Sequence, residues 1–439
     1  MRTKYFFVLA VFLSPVLGGI PFAHAQLFQN NDSTCESRSV VCSSVTGGGC
    51  VGGQAESISC RNIEADADIT GNGFVDCVAG RDDGTGEINV SVLLNNGAGA
   101  QCGVGAGQFS TALDYGLSGL FTAAIESGTV LTGDLSGDGA TDMGAAGPST
   151  SKVAAQAFNP GGGFGADETI LTTTDVLWSV VAAQDGYFSS ETERNAALFD
   201  CDGDGDLEAA IAAETVVPVG PFNLHAAQVN VLLNSGAGLA AINDVGFPGT
   251  TSSALSTPDV AGVGDLFVSL AVGDFDGING PDIVLAVNST IAGVSSSLWF
   301  CPNDGACGFP ASCTQVVDLD AQAPHAGGTT NPFSIAAGDF DGSGDLDVVV
   351  TEPGLPTGSR GVHYFFGNGD GTFNTPGTHV TFTGGAFDGS PRVVTTGCYN
   401  NDNVVDTATT FSNPAPTTGS SDVRVITSDG GGGFNPVLA

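Results

Sequence analysis

Positive charge is nearly missing from this chain. Ten Lys and Arg stand against 47 Asp and Glu in 439 residues, a formal net charge of −37. A surface of that sign repels phosphate backbones and anionic headgroups, which sets nucleic acid and acidic lipid aside as partners. Charged residues of both signs make up only 13% of the chain, against about 25% in an ordinary domain. The acids are therefore concentrated, and their positions carry the information.

Long hydrophobic runs are equally scarce. The one sustained stretch, from Tyr5 to about Ile20, falls short of the roughly 18 apolar residues of a membrane span. No segment repeats hydrophobic residues at a helical period. No two cysteines have C-x2-C spacing, and only His225, His325, His363 and His379 follow the first 25 residues, well separated. Those two gaps leave little basis for zinc. With 41% hydrophobic residues, the chain still has enough to bury a core and is no disordered acidic tail.

What is present begins at the N-terminus. Arg2 and Lys4 precede the apolar run, which ends in Ala23-His24-Ala25 before Gln26. That pattern predicts a cleavable secretory signal over residues 1–25 and a secreted protein, extracellular, at the cell surface or periplasmic. Removing Arg2 and Lys4 with the signal leaves 8 basic residues against the same 47 acids. All eleven cysteines lie beyond residue 25, and an exported chain is expected to pair them. Cys35, Cys42, Cys50 and Cys60 tie down a Cys-rich segment over 26–59, while Cys301, Cys307 and Cys313 form a later group. An odd count leaves at least one thiol over, and spacing alone does not give the connectivity.

Residues 60–439 are a repeat. "ADITGNGFVDCVAG" at Ala67, "GDLSGDGATDMGAA" at Gly133, "FDCDGDGDLEAAIAA" at Phe199, "GDFDGINGPDIVLAV" at Gly273 and "GDFDGSGDLDVVV" at Gly338 are variants of one sentence. "GCYNNDNVVDTATT" at Gly397 is a decayed sixth copy. A second marker keeps step with the first: "VLLNNGAGA", "AFNPGGGF", "VLLNSGAGL", "FCPNDGACGF", "FFGNGDGTF" and "ITSDGGGGF". Each unit reads as four short strands divided by Gly, Pro, Asn and Asp turns. In the fifth these are "FSIAAGDF", "LDVVVTE", "GVHYFFGN" and "THVTFTG". In the first, Ile88, Val90, Val92 and Leu94 alternate with Asn89, Ser91 and Leu93, the period of a strand with one buried face. The fold class is thus all-β, a β-propeller of six or seven four-stranded blades. The segment before residue 60 supplies either a ring-closing strand or the remains of a seventh blade.

The loop of each unit places oxygen-bearing side chains at alternate positions of a Gly-containing turn. Counted from its first acidic position, the sets are Asp68, Thr70, Asn72 and Asp76; Asp134, Ser136, Asp138 and Asp142; Asp200, Asp202, Asp204 and Glu208; Asp274, Asp276 and Asp282; Asp339, Asp341, Ser343 and Asp347; and Asn400, Asp402 and Asp406. Ca2+ takes six to eight hard oxygen ligands at about 2.3–2.6 Å, which positions 1, 3, 5 and 9 and a carbonyl at 7 can supply. Asp, Asn and Gly also suit plain turns, a reading that explains one copy and not six in register. Ligand charge tunes affinity. The third loop, with four carboxylates, is expected to bind tightest. The fourth has Ile278 at position 5, and the sixth, with Cys398 in first place, is expected to bind weakly or not at all.

The D-x-D-x-D-G-x-x-D loop followed by an aliphatic strand resembles the FG-GAP/VCBS repeat family, known from integrin α-chain heads and secreted bacterial proteins. The literal Phe-Gly stands at Phe366-Gly367 and the "GAP" half is absent, so the resemblance is to the bacterial VCBS type. It implies a calcium-bearing propeller used for adhesion or recognition of an extracellular protein or carbohydrate ligand.

Catalytic motifs compare poorly. Ser149-Thr150-Ser151-Lys152 matches S-x-x-K in spacing but falls in a predicted hairpin, and the glycines from Gly161 open no helix as a phosphate loop requires. Arg81, Arg194, Arg360 and Arg392 are the few cations that a calcium-dependent polysaccharide lyase could use. The expectation is a non-catalytic recognition module, with that enzyme as the alternative and with no sequence feature naming the ligand or oligomeric state.

Overall fold

The computed structural model describes strands between residues 55 and 437. In side-chain detail it describes chiefly residues 197–203, 266–310, 312–322, 334–352, 361–381, 404–407 and 426–435, with scattered strand positions besides. The expected signal and most of the Cys-rich segment lie outside the described residues.

Every described regular element is a strand, and the strands form antiparallel sheets in chain order. The first sheet holds β1 (Ala55–Cys60), β2 (Cys77–Asp82), β3 (Ile88–Leu93) and β4 (Leu113–Gly116). The second holds β5 (Thr129–Gly133), β6 (Asp142–Gly147) and β7 (Lys152–Gln156), then, past a small hairpin of β8 (Phe158–Asn159) and β9 (Gly163–Phe164), β10 (Glu168–Thr172). The third comprises β11 (Ala196–Phe199), β12 (Glu208–Val219), β13 (Phe222–Leu232) and β14 (Ser253–Ser256), with β15 (Val260–Gly262) added on the far half of β13. The fourth is β16 (Leu266–Gly273), β17 (Asp282–Ser289), β18 (Ser297–Cys301) and β19 (Thr314–Asp318). The fifth is β20 (Ile335–Gly338), β21 (Asp347–Glu352), β22 (Gly361–Phe365) and β23 (Thr378–Thr381). The sixth is β24 (Ser390–Gly397), β25 (Asp406–Ser412), β26 (Asp422–Ser428) and β27 (Phe434–Val437). The four strands expected in the fifth unit all form. β1 straddles the boundary drawn at residue 60 and is the first strand of the first sheet.

The sheets are packed as in a β-propeller. β1 touches β5, β5 touches β11, β11 touches β16, β16 touches β20, β20 touches β24, and β24 returns to β1. First strands thus meet around a common axis, the arrangement that protects their edges.

The first unit's alternation falls on strand positions whose side chains lie outside the described residues; the fourth and fifth sheets follow a different pattern. β16, β17, β21 and β22 are buried along their whole length, not on one face. Ile283, Leu285 and Val287 of β17 pack toward the third sheet with Ala212, Val229 and Val231. Val284 and Ala286, on the other face, meet Ile335, Val348 and Val350 of the fifth. Val349 turns the opposite way and packs with Val394, Val405 and Ile426 of the sixth. A blade between two blades has no solvent face, so its inner strands read as continuous Val/Ile/Leu/Ala rather than as alternation. Each fully buried aliphatic side chain contributes about 1.5–3 kcal/mol, so the blade interfaces hold the ring together.

Candidate metal centres

The acidic loops join the first and second strands of their blades: residues 274–281 link β16 to β17, and 339–346 link β20 to β21. In three loops the carboxylates converge. Asp200, Asp202 and Glu208; Asp274, Asp276 and Asp282; and Asp339, Asp341 and Asp347 each bring one oxygen per residue to within 4.8 Å of the others. Asp204 lies outside the described residues, as do Asp68, Thr70, Asn72, Asp76, Asp134, Ser136, Asp138, Asn400 and Asp402, and of Asp142 only the strand backbone is described.

The turn that gathers them depends on a left-handed residue at position 4, which the sequence reading passed over. Gly203, Gly277 and Gly342 have φ of 78°, 71° and 72°, a conformation glycine adopts without Cβ strain. Side-chain oxygens then cap the exposed backbone. Gly203 N donates to Asp200 Oδ1 (2.7 Å), Ile278 N to Asp276 Oδ1 (2.8 Å), Ser343 N to Asp341 Oδ1 (3.0 Å) and Gly344 N to Asp339 Oδ2 (3.0 Å). Ser343 Oγ accepts from Asp345 N at 3.2 Å, so this predicted ligand also braces the turn. Ile278 is 58% exposed and presents no side-chain oxygen at position 5.

Position 9 has a second task. Asp282 is fully buried at the start of β17. Its Oδ2 accepts from Phe275 N (3.0 Å) and its Oδ1 from Asn303 N (2.8 Å) in the turn between β18 and β19. Asp347 repeats this with Phe340 N and Gly367 N, both at 2.8 Å. Asp406, the described carboxylate of the sixth loop, accepts from Ser428 N at 2.9 Å. Glu208 reaches Cys201 N at 2.9 Å with its longer side chain.

Burial makes these carboxylates hold their protons more tightly than exposed ones. Burial pushes Asp282 up to about 7, against the opposing hydrogen bond from Asn303 and with the Asp276 charge adding to the rise. Burial likewise pushes Asp347 up to about 8, opposed by Gly367 and Phe340 and reinforced by Asp341 and Asp339. Asp274 and Asp339 are raised, again chiefly by burial. Asp274 Oδ1 and Asp339 Oδ1 are buried with no hydrogen-bond partner. Buried oxygens of this kind carry a desolvation cost that a cation offsets. An all-oxygen donor set of this hardness fits Ca2+ and offers nothing a soft metal prefers.

Other acids are occupied in turns. Asp304, Asp370 and Asp429 lie in the second marker, and each accepts backbone N–H bonds from residues two to four places on. Hydrogen bonds hold Asp370 and Asp429 below the usual carboxylate range: the Thr372 hydroxyl and then its N–H act on Asp370, and Gly431 and then Gly433 on Asp429.

Cysteine pairing crosses blades. Cys301 bonds Cys313 within the turn of the fourth blade, whereas Cys307 bonds Cys201, the second residue of the third acidic loop. Cys201, Cys307 and Glu208 lie close together, but the disulfide removes the thiolates a metal would need. The other seven cysteines have no described side chains.

The histidines are less scattered than their spacing suggested. His363 and His379 face each other across β22 and β23. Glu352, the last residue of β21, lies 3.3 Å from His363 Nδ1 and 3.2 Å from His379 Nε2, all well buried. β21 runs away from its acidic loop, so this cluster sits at the opposite end of the blade. Sequence reasoning missed it because the three residues approach only through strand pairing.

No protein-family model matches the chain, and no curated protein does. Among solved structures, the chain is similar to an Agrocybe aegerita lectin that recognises non-reducing terminal N-acetylglucosamine, with 18% identity over 83% of this chain and 79% of that one, at a TM-score of 0.43. It is also similar to an Aleuria aurantia lectin variant in complex with alpha-methyl-L-fucoside, with 10% identity over 83% and 90% of the two chains and a TM-score of 0.38. An exotype rhamnogalacturonan lyase aligns at 13% identity over 84% of this chain and 58% of its own, with a TM-score of 0.32.

Proposed function

We propose that the protein is a secreted, calcium-binding, six-bladed β-propeller of the FG-GAP/VCBS type, acting as a non-catalytic recognition module for an extracellular protein or carbohydrate ligand. The observation that carries the calcium reading is the convergence of three carboxylates in each of three equivalent loops, two of them with an unpartnered buried oxygen at position 1. The count of six rests on six sheets in chain order with β24 against β1.

Clustered carboxylates repel one another until a cation neutralises them, so the native chain is stabilised by binding that the unfolded chain lacks. The third loop binds tightest and the sixth weakest. A propeller held this way presents rigid strands and variable connecting loops at both ends, where recognition sites reside. The lectins above bind sugars; carbohydrate is accordingly the first ligand class to test. A glycan array probed with and without calcium is that test. Calcium-dependent binding without turnover supports the recognition reading. Release of unsaturated sugars instead supports the alternative, a calcium-dependent polysaccharide-active enzyme. A melting temperature indifferent to both calcium and chelator sinks the calcium reading.

A further inference from the structure

We propose that the calcium loops are coupled from blade to blade through the turns that join third and fourth strands, with Asn303 and the Cys201–Cys307 disulfide linking the third loop to the fourth. The inference rests on the calcium reading and adds communication between sites to it.

The geometry repeats at three blade boundaries. In the fourth blade, Asn303 N is held by Asp282 Oδ1 of its own loop (2.8 Å), while its Nδ2 donates to the carbonyl of Cys201 (2.7 Å), the second residue of the third loop. The same Nδ2 lies 3.5 Å from the Asn279 carbonyl of the fourth loop. Asn303 is 4% exposed, and four residues on, Cys307 bonds Cys201 covalently. In the fifth blade, Gly367 N is held by Asp347, and Gly371 N of that turn donates to the carbonyl of Phe275 at 3.0 Å, the second residue of the fourth loop. In the sixth, Ser428 N is held by Asp406, and Ser428 Oγ donates to the carbonyl of Phe340, the second residue of the fifth loop.

Each turn therefore has two anchors: position 9 of its own loop and the position-2 carbonyl of the preceding blade's loop. A cation that closes one loop fixes the position-2 peptide between two ligating residues. That orders the neighbouring turn, and with it the position-9 carboxylate of the next site. The next cation then meets a loop with less conformational freedom left to lose, which is positive coupling without a change of fold.

The test uses the full chain with calcium alone as probe. Hydrogen-exchange mass spectrometry reads the calcium concentration at which the segment spanning residues 197–208 becomes half-protected, a measure confined to the third loop. Asp274→Asn disables the fourth loop. In the otherwise native chain it is expected to move the third loop's midpoint upward by about fivefold or more, the lower end of ordinary couplings. In Asn303→Ala under reductant, the same Asp274→Asn change is expected to move that midpoint less than twofold. If the reduced chain does not fold, oxidised Asn303→Ala decides, and it must at least halve the shift. Calcium binding with a third-loop midpoint indifferent to Asp274→Asn overturns the coupling and leaves the calcium reading standing. So does an undiminished shift in the Asn303 variant. A chain that binds no calcium overturns both.

Discussion

Asp347→Asn separates a carboxylate that braces a turn from one that holds a cation. Asp347 accepts the Phe340 and Gly367 amides, one on each oxygen. Asparagine keeps one acceptor and turns an NH2 group toward the other amide, so one buried donor loses its partner at a cost of about 1–3 kcal/mol. In chelator at neutral pH this is most of the effect, because burial has already pushed Asp347 up to about 8 and the neutral amide resembles the protonated acid. With calcium the comparison changes. A site filled at 100 times its Kd stabilises the fold by about 2.7 kcal/mol, and the variant forfeits most of it. Urea unfolding of both chains, in EDTA and in calcium, is therefore expected to show a penalty about 2–3 kcal/mol larger with calcium. Equal penalties in the two conditions would mean that Asp347 is a turn brace alone, and the fifth site would have to be abandoned.

Three further outcomes follow from the same geometry. In EDTA, stability is expected to fall as pH rises from about 4 toward about 8. Folded Asp282 and Asp347 hold their protons to about 7 and about 8, while the unfolded chain loses them near 3.9; the folded state binds more protons across that window and loses its advantage as they leave. Calcium should flatten the slope, and a urea midpoint that climbs with pH in EDTA contradicts this. Phe340→Ala removes a fully buried ring packed 5.0 Å from Tyr364 and 6.5 Å from Phe434, and is expected to cost about 3–5 kcal/mol in urea. Glu352→Gln replaces the carboxylate between two buried imidazoles with an amide that keeps only one acceptor oxygen, and should cost about 1–3 kcal/mol in urea; an unchanged urea midpoint would show that these contacts add no net stability.

What could be read from the sequence divides by range. The strands of the fifth blade and the acidic loops were legible because each is a local pattern, a period or a spacing within fifteen residues. Position 9 was legible as an acid, but its hydrogen bonds to Asn303 or Gly367 lie about twenty residues away across two strand pairings. The Glu352–His363–His379 group and the Cys201–Cys307 bond were hidden for the same reason. Nothing local distinguishes Cys307 from Cys301 or Cys313 as the cysteine that leaves its own turn. The fully buried strands of the inner blades carry continuous aliphatic runs instead of alternation, because they have no solvent face.

The two sequence markers keep step for a physical reason that the structure supplies. The aromatic ending the second marker packs across the blade boundary. Phe373 lies 6.0 Å from Phe275 and Phe434 lies 6.5 Å from Phe340, each partner being position 2 of the preceding acidic loop. At the third loop position 2 is Cys201, its covalent partner Cys307 lies in the corresponding turn, and Phe309 packs on neighbouring Phe199 at 6.4 Å. An apolar or sulfur side chain at position 2 thus plugs the boundary from one blade, while the next blade's turn supplies the lid and a hydrogen bond to the same residue's carbonyl. A change to either marker alone would leave a cavity or an unpaired carbonyl between blades, each costing on the order of 1–3 kcal/mol or more. The phase of the repeat is therefore set by contact between neighbours, and the acidic loops, lying on that contact, are part of how the ring holds together.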